Sequence, residues 1–394
     1  MAAVLLTIVL ALEGLYCFVV FTDIPAIKSL REAYIETAMN TLSHQWLAKW
    51  FLPSYMIDEV VARQDQARKD QEGKISTWDK ISASDATGKN GETTAPTEPT
   101  SQTDEERFYE LFWELDRISF EDYVSSAHPD VTANGWDNIY INEAGLNDDG
   151  TDIYTAMGER VLAVDAKNKI LLVRVEGSGY QGVLAIAKDP SQLYNAPSAY
   201  IGSWGQQLEA IASAHDAVLG MTGSGFIDPD GNGSGGELAG YAMSQGESYG
   251  EHYVVTGYKR VELRESNLLY VTDASAPVAA DTTDAVEFWP ALVVDGEPAV
   301  ENYEAFNGIQ PRACIGQSEK KEILMLVIEG RMPTRSYGTT IVMRHKAYQA
   351  LNLDGGTSAV LWYDGEYVTK CSNTSITSRM LPNAWLYGGD GAGQ

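Results

Sequence analysis

The chain has 394 residues, enough for more than one domain, and its 55 acidic residues outnumber 28 basic ones to give a net charge of −27. Such a charge repels nucleic acid at long range, which argues against a nucleic-acid-binding protein. The 44% hydrophobic content and 10% aromatic residues exclude general disorder, because such a chain can bury a sizeable core.

The first segment, residues 2–21, is apolar apart from Glu13 and has about the length of a membrane-spanning helix. A cleaved signal peptide and a buried core helix are the alternatives. No small-residue cleavage site follows the run, and no basic segment precedes it. We therefore predict an uncleaved transmembrane anchor at residues 1–22, with the membrane as a partner.

The orientation of this anchor is weakly specified. Lys28 and Arg31 follow the apolar run, and positive charge on that side alone would place the rest of the chain in the cytoplasm. We give this signal little weight, because a basic leader ahead of Met1 would reverse it. The expected location is the cell membrane, with one span and the folded part outside the cytoplasm.

Helical patterns follow the anchor. Residues 25–51 place apolar side chains at intervals of three and four, which predicts one amphipathic helix. Residues 57–74 continue as a polar, charged stretch that also favours a helix. We assign residues 23–81 to a membrane-proximal helical segment that forms a stalk, and a helical hairpin is the interpretation of its two helical patterns.

A linker separates this segment from the rest of the chain. Residues 82–103 are rich in Ser, Thr, Gly and Pro and contain no large apolar side chain, which predicts disorder. Residues 104–118 then favour a short amphipathic helix, within a helical lead-in at 104–150.

The remaining chain, residues 151–394, alternates short apolar runs with Gly, Asp, Asn and Pro, a pattern typical of strands. Helical patterns at 206–218 and 340–351 interrupt them. Strands with interspersed helices indicate an α+β fold, with a mixed β-sheet domain and packed helices. The predicted strands lie at 170–175, 183–187, 268–271, 291–294, 323–328, 359–363 and 384–387.

Four stretches of this domain end an apolar run in glycine with charged or hydroxyl residues: 221–237, 307–317, 323–338 and 351–358. Loops at strand ends often carry binding and catalytic groups, because the sheet is rigid and the loop is adaptable. The last stretch, LNLDGGTS, sets an acidic residue and two glycines between apolar runs. It fits a tight turn, and it also fits a site where a substrate approaches bare backbone.

The side chains in these stretches suit a negatively charged ester. Arg312 and Arg331 each offer a planar fork of donors to phosphate or carboxylate oxygens. Glu329 and Asp354 are carboxylates at the ends of apolar runs. The structural alternatives are an ion pair between Glu329 and Arg331, and a loop carbonyl bonded by Arg312.

The glycine turn adds donors to the same candidate site. Gly355 and Gly356 offer backbone N–H groups, and Thr357 and Ser358 offer hydroxyls. Together these groups favour an anion-binding nest.

Serine-triad chemistry is disfavoured because the sequence has no G-x-S-x-G elbow. His252 is the one histidine beside a glycine-rich loop and is kept as a candidate. Cys314 and Cys371 permit one disulfide, and no Cys/His spacing indicates zinc.

Calcium is an open question. Asp228, Asp230 and Asn232 occupy alternate positions of DPDGNGSGGE with Gly233 sixth, as in an EF-hand loop, but Glu237 is tenth rather than twelfth. A glycine-rich substrate loop is the favoured interpretation, and a calcium-dependent adhesion module is the alternative.

The order of the motifs S-G-F-x-D-P-x-G, P-R-x-x-I-G-Q, E-G-R, N-L-D-G-G-x-S and R-x-L-P-N resembles the phosphodiester glycosidase family. This domain occurs in many bacterial surface proteins and in the animal enzyme that uncovers mannose 6-phosphate on lysosomal proteins. The resemblance covers about residues 151–390. The anchor, helices and linker also resemble bacterial members.

The resemblance implies hydrolysis of a sugar from a glycosyl-1-phosphodiester on a glycan or cell-wall polymer. It implies that Asp354, or else Glu329, acts beside the sugar as a base or by stabilising an oxocarbenium-like state. Arg312 and Arg331 would stabilise the leaving phosphate. The other implied substrate-binding residues are Thr222, Ser224, Asp228, Gly355, Gly356, Ser358, Arg379 and Asn383.

Four positions depart from the family pattern. Members typically have Asn at position 222, Thr at 313, Asp at 329 and Gly at 357, where this chain has Thr222, Ala313, Glu329 and Thr357. Glu329 keeps the charge but moves it by a methylene, and Thr357 constrains a loop that glycine would leave free. A non-catalytic surface module that binds phosphorylated glycan is therefore the alternative function.

Overall fold

The computed structural model describes residues 1–40, 44–79, 102–126, 128–146, 150–228, 233–252, 255–300, 308–330, 335–370, 377–389 and 391. The predicted linker lies outside these residues except for its last two positions.

The N-terminal part is helical. Its first helix is 20 residues long with a mean hydropathy of 2.5, so it is long and apolar enough to cross a membrane. Two helices, Pro25–Asn40 and Gln45–Phe51, stand where the apolar pattern at 25–51 predicts one. The α-helices of the described residues are α1 Ala2–Phe21, α2 Pro25–Asn40, α3 Gln45–Phe51, α4 Ser54–Lys69, α5 Asp104–Leu111, α6 Arg117–Ser126, α7 Leu208–Ala214 and α8 Arg335–Arg344.

Three sheets follow, and the strand pairs within the described ranges are antiparallel. The strands are β1 Tyr140–Asn142, β2 Val161–Asp165, β3 Ile170–Gly177, β4 Tyr180–Ala187, β5 Leu193–Pro197, β6 Leu219–Thr222, β7 Tyr241–Ser244, β8 Glu247–Gly250, β9 Lys259–Arg264, β10 Leu269–Asp273, β11 Thr282–Phe288, β12 Ala291–Val294, β13 Glu297–Pro298, β14 Arg312–Ser318, β15 Ile323–Gly330, β16 Ala347–Asn352, β17 Leu361–Tyr363, β18 Glu366–Tyr367 and β19 Asn383–Tyr387. The nine-stranded sheet has the order β1-β2-β3-β4-β15-β14-β16-β12-β13, and the five-stranded sheets have the orders β10-β9-β11-β7-β8 and β18-β17-β6-β19-β5.

The helices and the three antiparallel sheets of the described residues confirm the α+β class. The large sheet lies between two apolar cores. Alternate side chains of a strand point to opposite faces. In β15, Met325 therefore joins one core, while Leu324 and Leu326 join the other. Both faces are covered, so the strand is a continuous apolar run rather than an alternating one.

The predicted helix at 340–351 is wrong in its second half. Helix α8 ends at Arg344, and Ala347–Asn352 forms β16 between β14 and β12. The Ala, Gln and Leu residues of this segment favour a helix in isolation, but burial of all six side chains and pairing with β14 override that preference.

Residues 70–79, here called the strap, run along the β domain instead of leading away from it. The Gln71 amide bonds both the N–H and the carbonyl of Ala291, at 2.8 and 3.0 Å. Trp78 is 3% exposed, and its Nε1 donates to the Leu269 carbonyl at 2.8 Å. Helices α2 to α4 are thereby held against the domain.

Candidate active site

Strand register brings three of the predicted motifs to one edge of the large sheet. Strand β14 is antiparallel to both β15 and β16. Its first residue, Arg312, therefore pairs with Ile328, next to Glu329. At the end of β16, Asn352 pairs with Cys314, and Asp354 follows two residues later.

These strand ends line a cleft of about 1840 Å³. It brings together eight of the predicted site residues: Asp228, Arg312, Glu329, Asp354, Gly355, Gly356, Ser358 and Arg379. Arg331, also predicted to bind substrate, lies outside the described residues.

Asp354 is a half-buried carboxylate whose protonation changes near neutral pH. Its Oδ1 accepts the N–H of Gly355 at 3.0 Å, and Ser358 donates a second hydrogen bond. Burial raises its pKa to about 6, although both hydrogen bonds act in the opposite direction. A carboxyl group with such a pKa can accept a proton at neutral pH and release it again.

Glu329 is held more tightly than Asp354. It is 6% exposed, its Oε1 accepts from Gln181 Nε2 at 2.9 Å, and its Oε2 accepts from the Lys370 N–H at 2.6 Å. Gln181 is its direct register partner on β4. The two bonds fix the carboxylate at the edge of the cleft.

Glycine is required at both positions of the turn, at Gly355 by close packing and at Gly356 by the backbone conformation. A Cβ on Gly355 would lie 2.8 Å from the Pro311 carbonyl oxygen, so no larger residue fits, and Gly356 has a φ of +60°. Both of their N–H groups have acceptors within the chain: Gly355 donates to Asp354, and Gly356 donates to Pro311 at 2.8 Å, so these two donors of the predicted anion-binding nest are engaged.

Asp228 and Arg379 form an ion pair, with 2.7 Å between Oδ2 and Nη1. Burial alone would raise the pKa of Asp228, but the hydrogen bonds from Arg379 and Gly233 lower it overall. Asp230 and Asn232, the other predicted calcium ligands, lie outside the described residues. Within those residues no group of three His, Cys, Asp or Glu could hold a metal ion.

Three predicted substrate-binding residues lie behind the cleft wall. Asn383 Oδ1 accepts the Ser224 N–H at 2.7 Å, and its Nδ2 donates to Ser224 Oγ at 2.9 Å. Thr222, at the end of β6, is fully buried. None of the three is among the lining residues of the cleft. They can therefore affect a bound substrate only indirectly, by fixing the position of the loop at 223–228.

Arg335, which is not among the predicted site residues, also lines the cleft near Arg312. Arg335 begins α8, is 4% exposed, and its guanidinium lies 4.8 Å from the Trp289 ring centre. Burial lowers the pKa of Arg312 and of Arg335, and repulsion from Arg335 lowers that of Arg312 further. Buried cations of this kind attract an anion. The stretch 323–338 already contained Arg335, four residues after Arg331.

Another side of the cleft comes from helices α2 and α4, which the sequence patterns did not connect with the site. Asn40 of α2 and Gln64, Asp65 and Arg68 of α4 line it. Periodicity predicts that these helices form but carries no information on where they dock.

His252 does not lie in this cleft. Its Nδ1 is 2.6 Å from Glu287 Oε1, its ring stacks on Tyr241 at 4.3 Å, and it lines a separate, smaller pocket. Cys314 is buried with a free thiol, and Cys371 is outside the described residues.

Comparison with known proteins places this geometry in context. A family model described as phosphodiester glycosidase matches residues 215–387, whereas no curated protein matches the chain. The zebrafish N-acetylglucosamine-1-phosphodiester alpha-N-acetylglucosaminidase catalytic domain, auto-inhibited by its pro-peptide, is 15% identical, with a TM-score of 0.47 over 55% of this chain and 81% of that chain. A hypothetical protein from Synechocystis is 13% identical, with a TM-score of 0.40 over 60% and 65% of the two chains. The matched residues contain Arg312, Glu329 and Asp354, and the resemblance to the phosphodiester glycosidase family that the motifs predict is confirmed for residues 215–387.

Proposed function

We propose that this chain is a membrane-anchored hydrolase that releases a sugar from a glycosyl-1-phosphodiester on a glycan or cell-envelope polymer. The observation that carries the proposal is the combination, in one cleft, of Asp354 with a pKa of about 6 and the buried cations Arg312 and Arg335. The carboxylate suits the sugar side of the scissile bond, and the arginines suit the phosphate side.

In the proposed reaction, water attacks the anomeric carbon and Asp354 accepts its proton. The bond from the anomeric carbon to the phosphate oxygen breaks, and its electron pair stays on the phosphate, which leaves as a phosphomonoester. The second pKa of such a product is about 6, so the leaving oxygen needs little protonation. Arg312 and Arg335 would stabilise the charge that develops on it.

Glu329 has a supporting role in this proposal. Its carboxylate is buried and held by two hydrogen bonds, whereas Asp354 is only half-buried and has a pKa of about 6, which suits a base. A fixed negative charge at the edge of the cleft can stabilise an oxocarbenium-like state without accepting a proton.

The proposed location is the outer face of a membrane. Helix α1 is long and apolar enough to span a bilayer, and extracellular glycans are the natural source of phosphodiester-linked sugars for a domain tethered there. The strap and α4 would then hold the cleft close to the membrane surface.

The test is turnover by the full-length chain in detergent micelles, with a panel of sugar 1-phosphodiesters that includes N-acetylglucosamine. Asp354→Asn keeps the shape of the side chain and removes the base, so we expect kcat to fall by about 10³-fold. Asp65→Asn is the matched control, because Asp65 also lines the cleft but is an exposed partner of Arg68. It should keep nearly full activity.

Equal turnover by wild type and Asp354→Asn would remove Asp354 from the chemistry. Saturable binding of the diesters without release of sugar by any chain would instead identify a non-catalytic module that binds phosphorylated glycan.

A further inference from the structure

Glu36, on the membrane-proximal helix α2, lies beside Arg312 and Arg335 of the cleft. It is 1% exposed, and its Oε1 is 3.9 Å from Nη1 of Arg335. A Cβ built on Gly308 would lie 3.2 Å from the Glu36 side chain, and the Gly308 carbonyl accepts a hydrogen bond from Arg312. Glu36 is therefore a neighbour of both cations, although it lies far outside residues 215–387.

Helix α2 is fixed in this position by direct contact with the loop that leads into β14. The Ile309 N–H donates to Thr37 Oγ1 at 2.8 Å, one residue after Glu36. The docking of helix α2 therefore fixes the position of the Glu36 carboxylate.

Helices α2 and α4 also carry buried polar groups without a hydrogen-bond partner among the described residues. Gln64 is 7% exposed and lines the cleft, and its Nε2 has no hydrogen-bond partner among the described residues. The Nδ2 of Asn40, one turn beyond Glu36, also lacks one there. Buried donors without a partner are costly, so they are expected to meet an acceptor when the cleft is filled.

A carboxylate beside a phosphate site changes which phosphate binds best. A phosphodiester carries one negative charge, whereas a phosphomonoester carries nearly two above its second pKa of about 6. Coulomb repulsion is proportional to the charge of the ligand, so a fixed carboxylate repels the dianion about twice as strongly as the monoanion.

We propose that Glu36 sets the charge of the phosphate subsite so that the cleft prefers a singly charged phosphodiester to a doubly charged phosphomonoester. This inference rests on the proposed function and deepens it. Glu36 is a specificity-determining residue, supplied by the membrane-proximal helix, and it favours release of the phosphomonoester once the sugar has left.

The test is calorimetric binding of two probes, methyl phosphate and dimethyl phosphate, to the full-length chain in detergent at pH 8. Glu36→Gln removes the charge and keeps the side-chain size. We expect methyl phosphate to bind about tenfold more tightly and dimethyl phosphate only about threefold more tightly, because the repulsion scales with ligand charge. At pH 5 both probes carry one charge, so both should change by the same factor.

Glu32→Gln is the matched control. Glu32 lies one turn earlier on α2 and pairs with Arg63 at 3.0 Å, so this variant should leave both affinities at their wild-type values. If Glu36→Gln does not fold, Glu36→Asp withdraws the carboxylate by one methylene and should shift the same ratio by a smaller factor.

An equal change for the two probes at pH 8, an equal effect of Glu32→Gln, or no binding of either probe would overturn the proposal. The outcome is separable from the proposed function. A shifted binding ratio in a chain that hydrolyses no diester would support the role of Glu36 and refute the enzyme, whereas turnover with an unchanged ratio would do the reverse.

Discussion

The two sides of the cleft are built in different ways. On the sheet side, Arg312, Glu329 and Asp354 stand at the ends of neighbouring antiparallel strands, so register alone brings them together. On the helical side, the contact between Thr37 and Ile309 joins positions 272 residues apart. The sheet side depends on local motifs within the family match, and the helical side depends on docking of a segment outside it. This difference separates the residues proposed to do chemistry from those proposed to select the ligand.

The largest expected effect tests whether the helical side depends on the strap. Trp78→Ala removes a buried indole that packs on Tyr348 and donates to Leu269, and such truncations cost about 3–5 kcal/mol. Thermal melting should show the loss, and turnover should fall with it because α2 and α4 lose their anchorage. Trp50→Ala, at a residue 76% exposed, is the control and should change little. An unchanged melting temperature for Trp78→Ala would mean that the strap is not docked.

On the sheet side, Arg312→Gln should lower kcat/KM by about 10²–10³-fold, because a neutral amide cannot stabilise the leaving phosphate. Steady-state kinetics with a sugar 1-phosphodiester would measure it. Arg344→Gln serves for comparison: its side chain is 41% exposed and pairs with Glu159 at 2.9 Å. A similar fall in kcat/KM for both variants would indicate a general effect of positive charge and would contradict a phosphate site at Arg312.

A smaller effect is expected at the glycine turn that follows β16 on the sheet side. Gly355→Ala would push a methyl group against the Pro311 carbonyl, and overpacking of this kind costs about 1–3 kcal/mol. Gly356→Ala has open space around its Cβ but a φ of +60°, so it should cost about 1 kcal/mol. Chemical denaturation of the two variants would rank them. The reverse order would show that backbone conformation outweighs the contact with Pro311.

The last expected effect is the pH dependence of stability and activity. The pKa of Asp354 rises from the ordinary 3.8 to about 6 in the folded chain, so between these values the folded state binds more protons than the unfolded state. The contribution of Asp354 to the free energy of unfolding is therefore fully present at low pH and is lost as the pH rises through about 6. Activity that needs the ionised Asp354 carboxylate rises over the same pH range.

Asp354→Asn should accordingly stabilise the chain at pH 8 by about 1–2 kcal/mol and have little effect at pH 4. Denaturation at the two pH values is the measurement. Glu329→Gln provides the contrast, because it disturbs a carboxylate bonded by Gln181 and Lys370 and should destabilise. Destabilisation by Asp354→Asn at pH 8 would contradict the raised pKa.

Strands with a continuous apolar run were the easiest elements to predict. The run at 291–294 coincides with β12, and the run at 323–328 lies within β15, since burial on both faces leaves a clear signal. The first half of the predicted helix at 340–351 lies in α8, but the second half is strand β16, because its pairing with β14 cannot be read from local preference.

The amino-acid sequence by itself determined the apolar N-terminal helix, the α+β class, the family resemblance and the candidates Asp354, Glu329 and Arg312. These features reside in local composition and in short motifs whose neighbours are fixed by strand register. Only the tertiary structure decided that Gly355 packs against the Pro311 carbonyl and Gly356 donates to it. It also decided that Arg335 lies near Arg312, and that Glu36 lies beside both arginines. Those contacts join distant positions through packing and hydrogen bonds, and no periodicity along the chain encodes the docking of one segment on another.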